Sequence, residues 1–156
     1  MLQYMSNDAA NRLINEFGGF AALNRAFAEQ GLTQTVFERS FGDTGASDTG
    51  LENYTSARDA VKVLSIIFQG GNHTYMRHNL TSDGFTVPSG ATINAHRGQG
   101  IGGVYNVYAV ISAGSAIYGI TVITMHPGRT IEQARVAANS SISSILAQVH
   151  SVMLED

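Results

Sequence analysis

Histidine ligates metal ions and transfers protons near neutral pH, so we first ask whether the histidines of this chain are spaced as metal ligands. Four histidines are candidates for a metal site: His73, His78, His96 and His126. His73 and His78 are five residues apart, so they would not share one face of a helix. No carboxylate stands at ligand spacing beside these histidines, and the absence of cysteine excludes thiolate metal sites and disulfides. The sequence therefore predicts no metal site.

Three glycines match the G-x-G-x-x-G pattern of dinucleotide-binding loops: Gly98, Gly100 and Gly103. That loop needs a strand before it and a helix after it. The residues after Gly103 read VYNVYAVIS, a β-branched and aromatic run that is typical of a strand. We therefore predict no dinucleotide site and no other cofactor.

The composition and charge disfavour nucleic acid and a membrane span as partners of this chain. Charged residues make up 13% of the chain, about half the usual share. The net charge is −3, with eight arginines, one lysine and no basic cluster, which disfavours nucleic-acid binding. No apolar run is long enough to span a membrane. The first residues lack a basic stretch followed by an apolar core, so the sequence as written predicts no export signal and leaves the compartment undecided.

Three β-prone runs in the second half of the chain predict an antiparallel meander. The first is Thr92–His96, and the two longer ones are Val104–Ser112 and Ala116–Met125. The longer runs are joined by a short link of hairpin length, whereas Arg97–Gly103 is too rich in glycine to be regular structure. Both longer runs are apolar on nearly every residue, which predicts that helices cover both faces of the sheet.

Apolar residues recur with a helical period in four other stretches. These predicted helices are Asp8–Phe17 (capped by Asn7 or Asp8), Phe20–Gln30, Thr55–Gln69 and Thr130–Leu154. Ser40–Asn53 is predicted to be a loop, and Asn72–Leu80 has the composition of a short helix. The order of elements favours an α+β fold in one domain, residues 1–156, with a helical part over 1–90 and the meander and last helix over 91–156. The tyrosines Tyr105, Tyr108 and Tyr118 are expected in its core.

Two stretches, together with the elements on their C-terminal side, resemble a known family. Met1–Leu13 (MLQYMSNDAANRL) and Asn53–Leu64 (NYTSARDAVKVL) precede Ala95-His96-Arg97-Gly98, a strand hairpin and a long C-terminal helix. This order is similar to that of the class A serine β-lactamases and their penicillin-binding relatives. The resemblance covers nearly all of this chain but only the C-terminal two thirds or so of such an enzyme. It implies a truncated β-lactamase/transpeptidase-like fold and acyl-transfer chemistry.

The family's first two catalytic motifs are missing or altered. No serine precedes a lysine by three places: the only lysine, Lys62, follows Asp59, so the S-x-x-K nucleophile is absent. The S-D-N motif aligns with Met5-Ser6-Asn7. Asn7 matches, but a thioether at Met5 cannot relay a proton. Ser6 would substitute only if the loop shifts.

The third motif, K-T-G, aligns best with Arg97-Gly98-Gln99, or with the run from Arg97 to Gly100. Arg97 keeps the positive charge and would bind a substrate carboxylate bidentately, with Gly98 beside it, although the threonine hydroxyl is lost. The alternative is an ordinary exposed arginine at a strand end. The family's general-base glutamate has no convincing counterpart, and we interpret Glu52 as a surface carboxylate.

These observations leave three functional hypotheses. The leading one is a penicillin-binding-type domain that is non-catalytic as this chain stands and binds a β-lactam or a peptidoglycan peptide. The second is an active serine hydrolase whose Ser-x-x-Lys segment comes from another chain or from upstream sequence. The third is a structural or assembly module unrelated to acyl transfer. The resemblance implies an extracytoplasmic location, which the N-terminal sequence does not support.

A further expectation concerns association. In the resembled fold, two N-terminal strands extend the sheet beside its C-terminal strand, and an N-terminal helix packs next to the last helix. Without them, Ala116–Met125 would present an unpaired apolar edge, and such edges recruit other strands. We therefore expect pairing with a second copy, or with a separate segment, along this run.

Overall fold

A computed structural model describes residues 3–155. Its contacts divide the chain into two compact units, Met1–Lys62 and Val63–Asp156, each described here by itself. The division falls within one helix, so the single domain expected from the sequence stays a prediction. The architecture is α+β, with helices and one three-stranded antiparallel sheet, as predicted.

The first unit consists of short helices and loops. It holds α1 (Asn7–Glu16), α2 (Gly19–Glu29), α3 (Thr44–Asp48) and the start of α4 (Ala57–Gln69). The cap of α1 is Ser6, whose Oγ accepts a hydrogen bond from the backbone N–H of Ala9 at 3.2 Å. The prediction of Asn7 or Asp8 as the cap was wrong, because Asn7 is already helical and its predecessor supplies the hydroxyl oxygen that the first turn needs.

The second unit contains the sheet, formed by β1 (Thr92–Gly100), β2 (Val104–Ala113) and β3 (Ala116–Met125) in the order β1-β2-β3. The three runs and their antiparallel pairing are as predicted, but β1 is longer than expected. Gly98 and Gly100 pair with residues of β2, so only the three residues up to Gly103 remain irregular. A Cβ at Gly98 would lie 3.2 Å from the Tyr108 ring, so the glycine leaves room for this cross-strand aromatic side chain.

The helix α5 (Ile131–Glu155) covers one face of the sheet. The buried positions of α5 recur every four residues and form one apolar stripe. They are Ala134, Ala138, Ile142 and Leu146. They pack against alternate residues of the strands, namely Ala95, Tyr105, Val107, Ala109, Ile111, Tyr118, Ile120 and Val122. Strand β2 is buried or half-buried throughout, whereas β3 exposes alternate residues, so the predicted cover on both faces does not extend over all of β3.

The segment between α4 and β1 contains two 3₁₀ turns, Asn72–Tyr75 and Leu80–Asp83, where the sequence suggested one short helix over Asn72–Leu80. Three polar residues of α5, four positions apart, hold the last residue of the second turn and the residues that follow it. The Arg135 guanidinium donates to the Asp83 carbonyl, Asn139 donates to the Gly84 carbonyl at 2.5 Å, and the Ser143 hydroxyl accepts from the Thr86 N–H at 3.0 Å. One face of α5 therefore fixes residues 83–86 by their backbone.

Strand β3 lies at the edge of the sheet. Among residues 3–155 its only paired neighbour is β2, and three of its apolar side chains are exposed: Ile117, Ile123 and Met125. Of the helices that the structure describes, none combines the length and the apolar character that crossing a membrane requires.

Candidate functional site

The residues aligned with S-D-N lie at the start of α1. Met5 has φ 49°, the only left-handed backbone among the non-glycine residues that the structure describes. This conformation is uncommon for a side chain of this kind and marks a constrained turn. Ser6 follows it with its Oγ committed as an acceptor to the Ala9 N–H, and Asn7 is the first helical residue. Met5 carries a thioether and no hydroxyl, so its side chain cannot donate a proton.

The loop 40–53 is tied to α1 and is more ordered than predicted. The Asn11 side chain donates to the Phe41 carbonyl at 3.0 Å and accepts from the Phe41 N–H at 2.8 Å. The amide nitrogen of Asn7 lies close to Gly42, 3.3 Å from the position that a Cβ would occupy there. The loop also contains the helix α3 rather than being irregular throughout.

Glu52 closes this loop instead of lying free on the surface. Its carboxylate accepts from the Arg39 Nη2 and Nε at 2.7 and 2.9 Å, and the Ser47 hydroxyl donates to its other oxygen. Hydrogen bonds from Ser47 and Arg39 lower the pKa of Glu52. A carboxylate held ionised by an arginine is a weak proton acceptor. The interpretation of Glu52 as a surface carboxylate was therefore incomplete: it is half-buried and joins the two ends of the loop.

Arg97 and Gly98 lie side by side on β1, which is the other edge strand of the sheet. Arg97 pairs with Val107 of β2, and its side chain is 27% exposed. The guanidinium therefore combines access to solvent with a fixed backbone. Neither Gly98 nor Gln99, the two residues after it, carries a hydroxyl.

Arg97 contacts a buried carboxylate that the sequence analysis did not identify. Its Nη1 lies 3.4 Å from Oδ1 of Asp83, whose other oxygen accepts from the Tyr105 hydroxyl and lies 2.5 Å from Nε2 of His78. Burial opposes ionisation of this carboxyl. The hydrogen bonds from Tyr105 and His78, with the charge of Arg97, outweigh burial and lower the pKa of Asp83.

The same cluster raises the pKa of the Tyr105 phenol, through burial first and then through its hydrogen bond to Asp83. Tyr105 therefore stays a neutral donor to the carboxylate at physiological pH. The ring of Tyr105 is buried, as predicted for a core tyrosine, but its hydroxyl belongs to this polar cluster. Tyr118, also buried, is bonded through its hydroxyl to Nδ1 of His150 at 2.7 Å.

The predicted site residues thus fall into two groups. Ser6 and Asn7 belong to the first unit, while Arg97 and Gly98 belong to the second. The catalytic role of Ser6 and Asn7 and the substrate-binding role of Arg97 and Gly98 remain predictions. The sequence analysis did not identify Asp83, because Arg97 and Tyr105 are distant from it along the chain. Its position five residues after His78 was the only local signal. Within residues 3–155, no group of three or more histidine, aspartate and glutamate side chains is placed to hold a metal ion.

A cavity of about 320 Å³ lies next to this cluster, between the second 3₁₀ turn and β1. Apolar side chains form part of its wall: Met76, Leu80, Val87 and Ile93. The polar residues at the cavity are Arg77, His78, Asn79, Thr81 and Asn94. His78 therefore connects the cavity with the buried carboxylate.

The fold is similar to that of solved β-lactamases and a penicillin-binding protein. A structure of PBP-A superposes with a TM-score of 0.74 at 22% identity, over 97% of this chain and 59% of that chain. The chromosome-encoded beta-lactamase of Vibrio parahaemolyticus gives 0.74 at 20% identity, over 96% of this chain and 62% of that chain. The class A beta-lactamase from Mycobacterium abscessus gives 0.72 at 21% identity, with the same two coverages.

At these identities the likeness is one of fold, and this chain spans 59–62% of the length of those three structures. No curated protein matches the sequence. A model of the beta-lactamase enzyme family matches residues 1–150. Because that match spans nearly the whole sequence, the chain belongs to the beta-lactamase enzyme family.

Proposed function

We propose that this chain is a penicillin-binding-type domain that recognises a carboxylate-bearing ligand, a β-lactam or a peptidoglycan peptide, without forming a covalent acyl intermediate. The observation that carries the proposal is Arg97, a partly exposed guanidinium on an edge strand. A planar fork of N–H donors matches the geometry of a carboxylate. Arg97 would therefore supply the positive charge that binds the ligand carboxylate, while the groups that would transfer protons during acylation are missing.

Inside the region matched by the family model, the residues aligned with S-D-N and K-T-G lack groups that acyl transfer needs. Acylation needs a nucleophile, a proton relay and donors that converge on one carbonyl. Met5 supplies no proton, the Ser6 oxygen caps α1, and Gly98 and Gln99 offer no hydroxyl beside Arg97. Glu52, held by Arg39, is not free to act as a base. Recognition without turnover is the function that these residues support best.

The ligand class is supported by a relative of the same fold. A variant of PBP-A has been solved as an acyl-enzyme complex with penicillin G. Penicillin G carries a carboxylate, as does a peptidoglycan stem peptide that ends in D-Ala-D-Ala. Arg97 therefore has a chemically suitable partner in both.

Binding of an acyl-D-Ala-D-Ala peptide tests this proposal. Calorimetry is expected to show weak non-covalent binding, and Arg97→Ala is expected to weaken it roughly 10-fold to 100-fold, because one charge-assisted interaction is worth about 1.5–3 kcal/mol. Arg129→Ala, which removes an exposed arginine of the same unit, is the matched control and should bind like the unaltered chain. Equal affinities for the three proteins, or no binding at all, would favour a structural module instead.

The second candidate is an active hydrolase completed by a Ser-x-x-Lys segment from elsewhere. It is supported by Asn7, which aligns with the asparagine of S-D-N in sequence and is the first residue of α1. Adding a separate polypeptide that carries this segment would then restore hydrolysis of a chromogenic β-lactam. The leading proposal expects no hydrolysis in that mixture.

We also propose that the outer edge of β3 pairs with the same strand of a second copy. Ile117 and Ile123 of this strand are 55% and 37% exposed, and among residues 3–155 the strand that pairs with β3 is β2. An edge strand with exposed apolar side chains promotes strand addition. Light scattering is expected to show a mass above the 16.6 kDa of one chain. Replacing both isoleucines with lysine should give a monomer, whereas Ile131→Lys, an exposed isoleucine of α5, should not. A stable monomer over a wide concentration range would overturn the proposal.

A further inference from the structure

We propose that Asp83 is the positioning residue of the carboxylate site: it holds the Arg97 guanidinium so that donors remain directed at a ligand. This inference rests on the proposed function, because it assigns a second residue to the site that Arg97 forms. Asp83 lies on the second 3₁₀ turn and not on the sheet, so nothing in the local sequence of β1 reveals the partnership.

Asp83 is itself immobilised. Its side chain is only 11% exposed and is bonded to Tyr105 of β2 and to His78, while its carbonyl accepts from Arg135 of α5. Three separate parts of the second unit therefore fix both the backbone and the carboxylate. A buried carboxylate with satisfied partners stays ionised and is a rigid acceptor.

The Asp83 carboxylate orients the side chain of Arg97. A long side chain on an edge strand loses considerable rotamer entropy when it binds a ligand. The contact of Nη1 with Asp83 at 3.4 Å restricts the guanidinium before any ligand arrives. Asp83 uses one side of a group that has five N–H donors, so donors remain for an incoming carboxylate. The pre-set orientation lowers the cost of binding.

A positioning role of Asp83 and a purely structural role predict different effects on ligand affinity. If Asp83 only stabilised the second 3₁₀ turn, its replacement would change affinity for all ligands alike, or not at all. If it orients Arg97, its replacement lowers affinity for a ligand with a free carboxylate and leaves the same ligand with a terminal amide little changed. The ratio of the two affinities is therefore the informative quantity.

The test compares acyl-D-Ala-D-Ala with its C-terminal amide on the full chain, by calorimetry at pH 7. For the unaltered protein we expect the free acid to bind more tightly than the amide. Asp83→Asn, nearly the same size, should reduce this ratio about 10-fold, and Arg97→Gln should bring it close to one. Adding Asp83→Asn to Arg97→Gln should change nothing further, because the positioned group is then gone.

The outcomes distinguish the two proposals. Equal binding of acid and amide by the unaltered chain would remove the proposed function, and the inference with it. If the unaltered chain prefers the free acid over the amide, and this preference is the same or larger in Asp83→Asn, only the inference about Asp83 is overturned. If Asp83→Asn fails to fold by circular dichroism, Asp83→Glu replaces it: the shifted carboxylate should also lower the ratio, and an unchanged ratio overturns the inference.

Discussion

Replacing Leu146 with alanine is expected to lower the free energy of unfolding by about 3 kcal/mol. Leu146 is fully buried at the sheet-facing stripe of α5, in the same apolar cluster as Ile111 and Tyr118. Truncation removes buried methyl groups and leaves a cavity that the strands cannot close, because the sheet is fixed by its hydrogen-bond ladder. Urea unfolding followed by circular dichroism measures the loss.

The neighbouring residue provides the control. Ile145 lies on the same helix but is 38% exposed, so Ile145→Ala keeps a similar change in composition while removing little buried surface. Its expected cost is below about 1 kcal/mol. Equal losses for the two variants would mean that α5 does not pack on the sheet through the stripe described here.

Gly103→Ala is expected to cost at least about 2 kcal/mol more than Gly102→Ala. Both glycines have positive φ, 78° and 75°, so both substitutions force an L-residue into the left-handed region. They differ in their surroundings. A Cβ at Gly103 would overlap the His126 carbonyl, whereas a Cβ at Gly102 would have no atom within 4 Å.

The contact at Gly103 links the turn after β1 to the end of β3, since the His126 N–H donates to the Gly103 carbonyl at 2.9 Å. An alanine methyl group would separate these two segments or break that hydrogen bond. Thermal unfolding of the two single variants measures the difference. Similar melting temperatures for both would show that the turn and the residue after β3 are not in contact.

Much of the fold was predictable because its elements differ strongly in hydrophobic period. The runs over Val104–Ser112 and Ala116–Met125 and the last helix are long and apolar, and the structure places them where the sequence does. The length of β1 was not predictable, because Gly98 and Gly100 have low strand propensity. The pairing with β2 and the Tyr108 ring beside Gly98 extend β1 to Gly100, and both contacts involve residues distant along the chain.

Residues of the site could be predicted from the sequence only where they align with a motif of the resembled family. Arg97 was found through its alignment with K-T-G, and the structure puts it on an edge strand. Asp83 was not identified, because its one local signal, a position five residues after His78, does not distinguish it from a surface aspartate. Its importance arises from Tyr105 and Arg97, which come 22 and 14 positions away, so tertiary structure was needed to identify it.

The proposed function requires that this chain recognise a carboxylate ligand without attacking it. Incubation with a fluorescent penicillin, followed by denaturing electrophoresis and intact mass measurement, distinguishes non-covalent recognition from acylation. We predict a protein of unchanged mass with no label after denaturation. A label that survives denaturation, with a mass increase equal to one penicillin, would show that a residue of this chain attacks the β-lactam carbonyl and would overturn recognition without acylation.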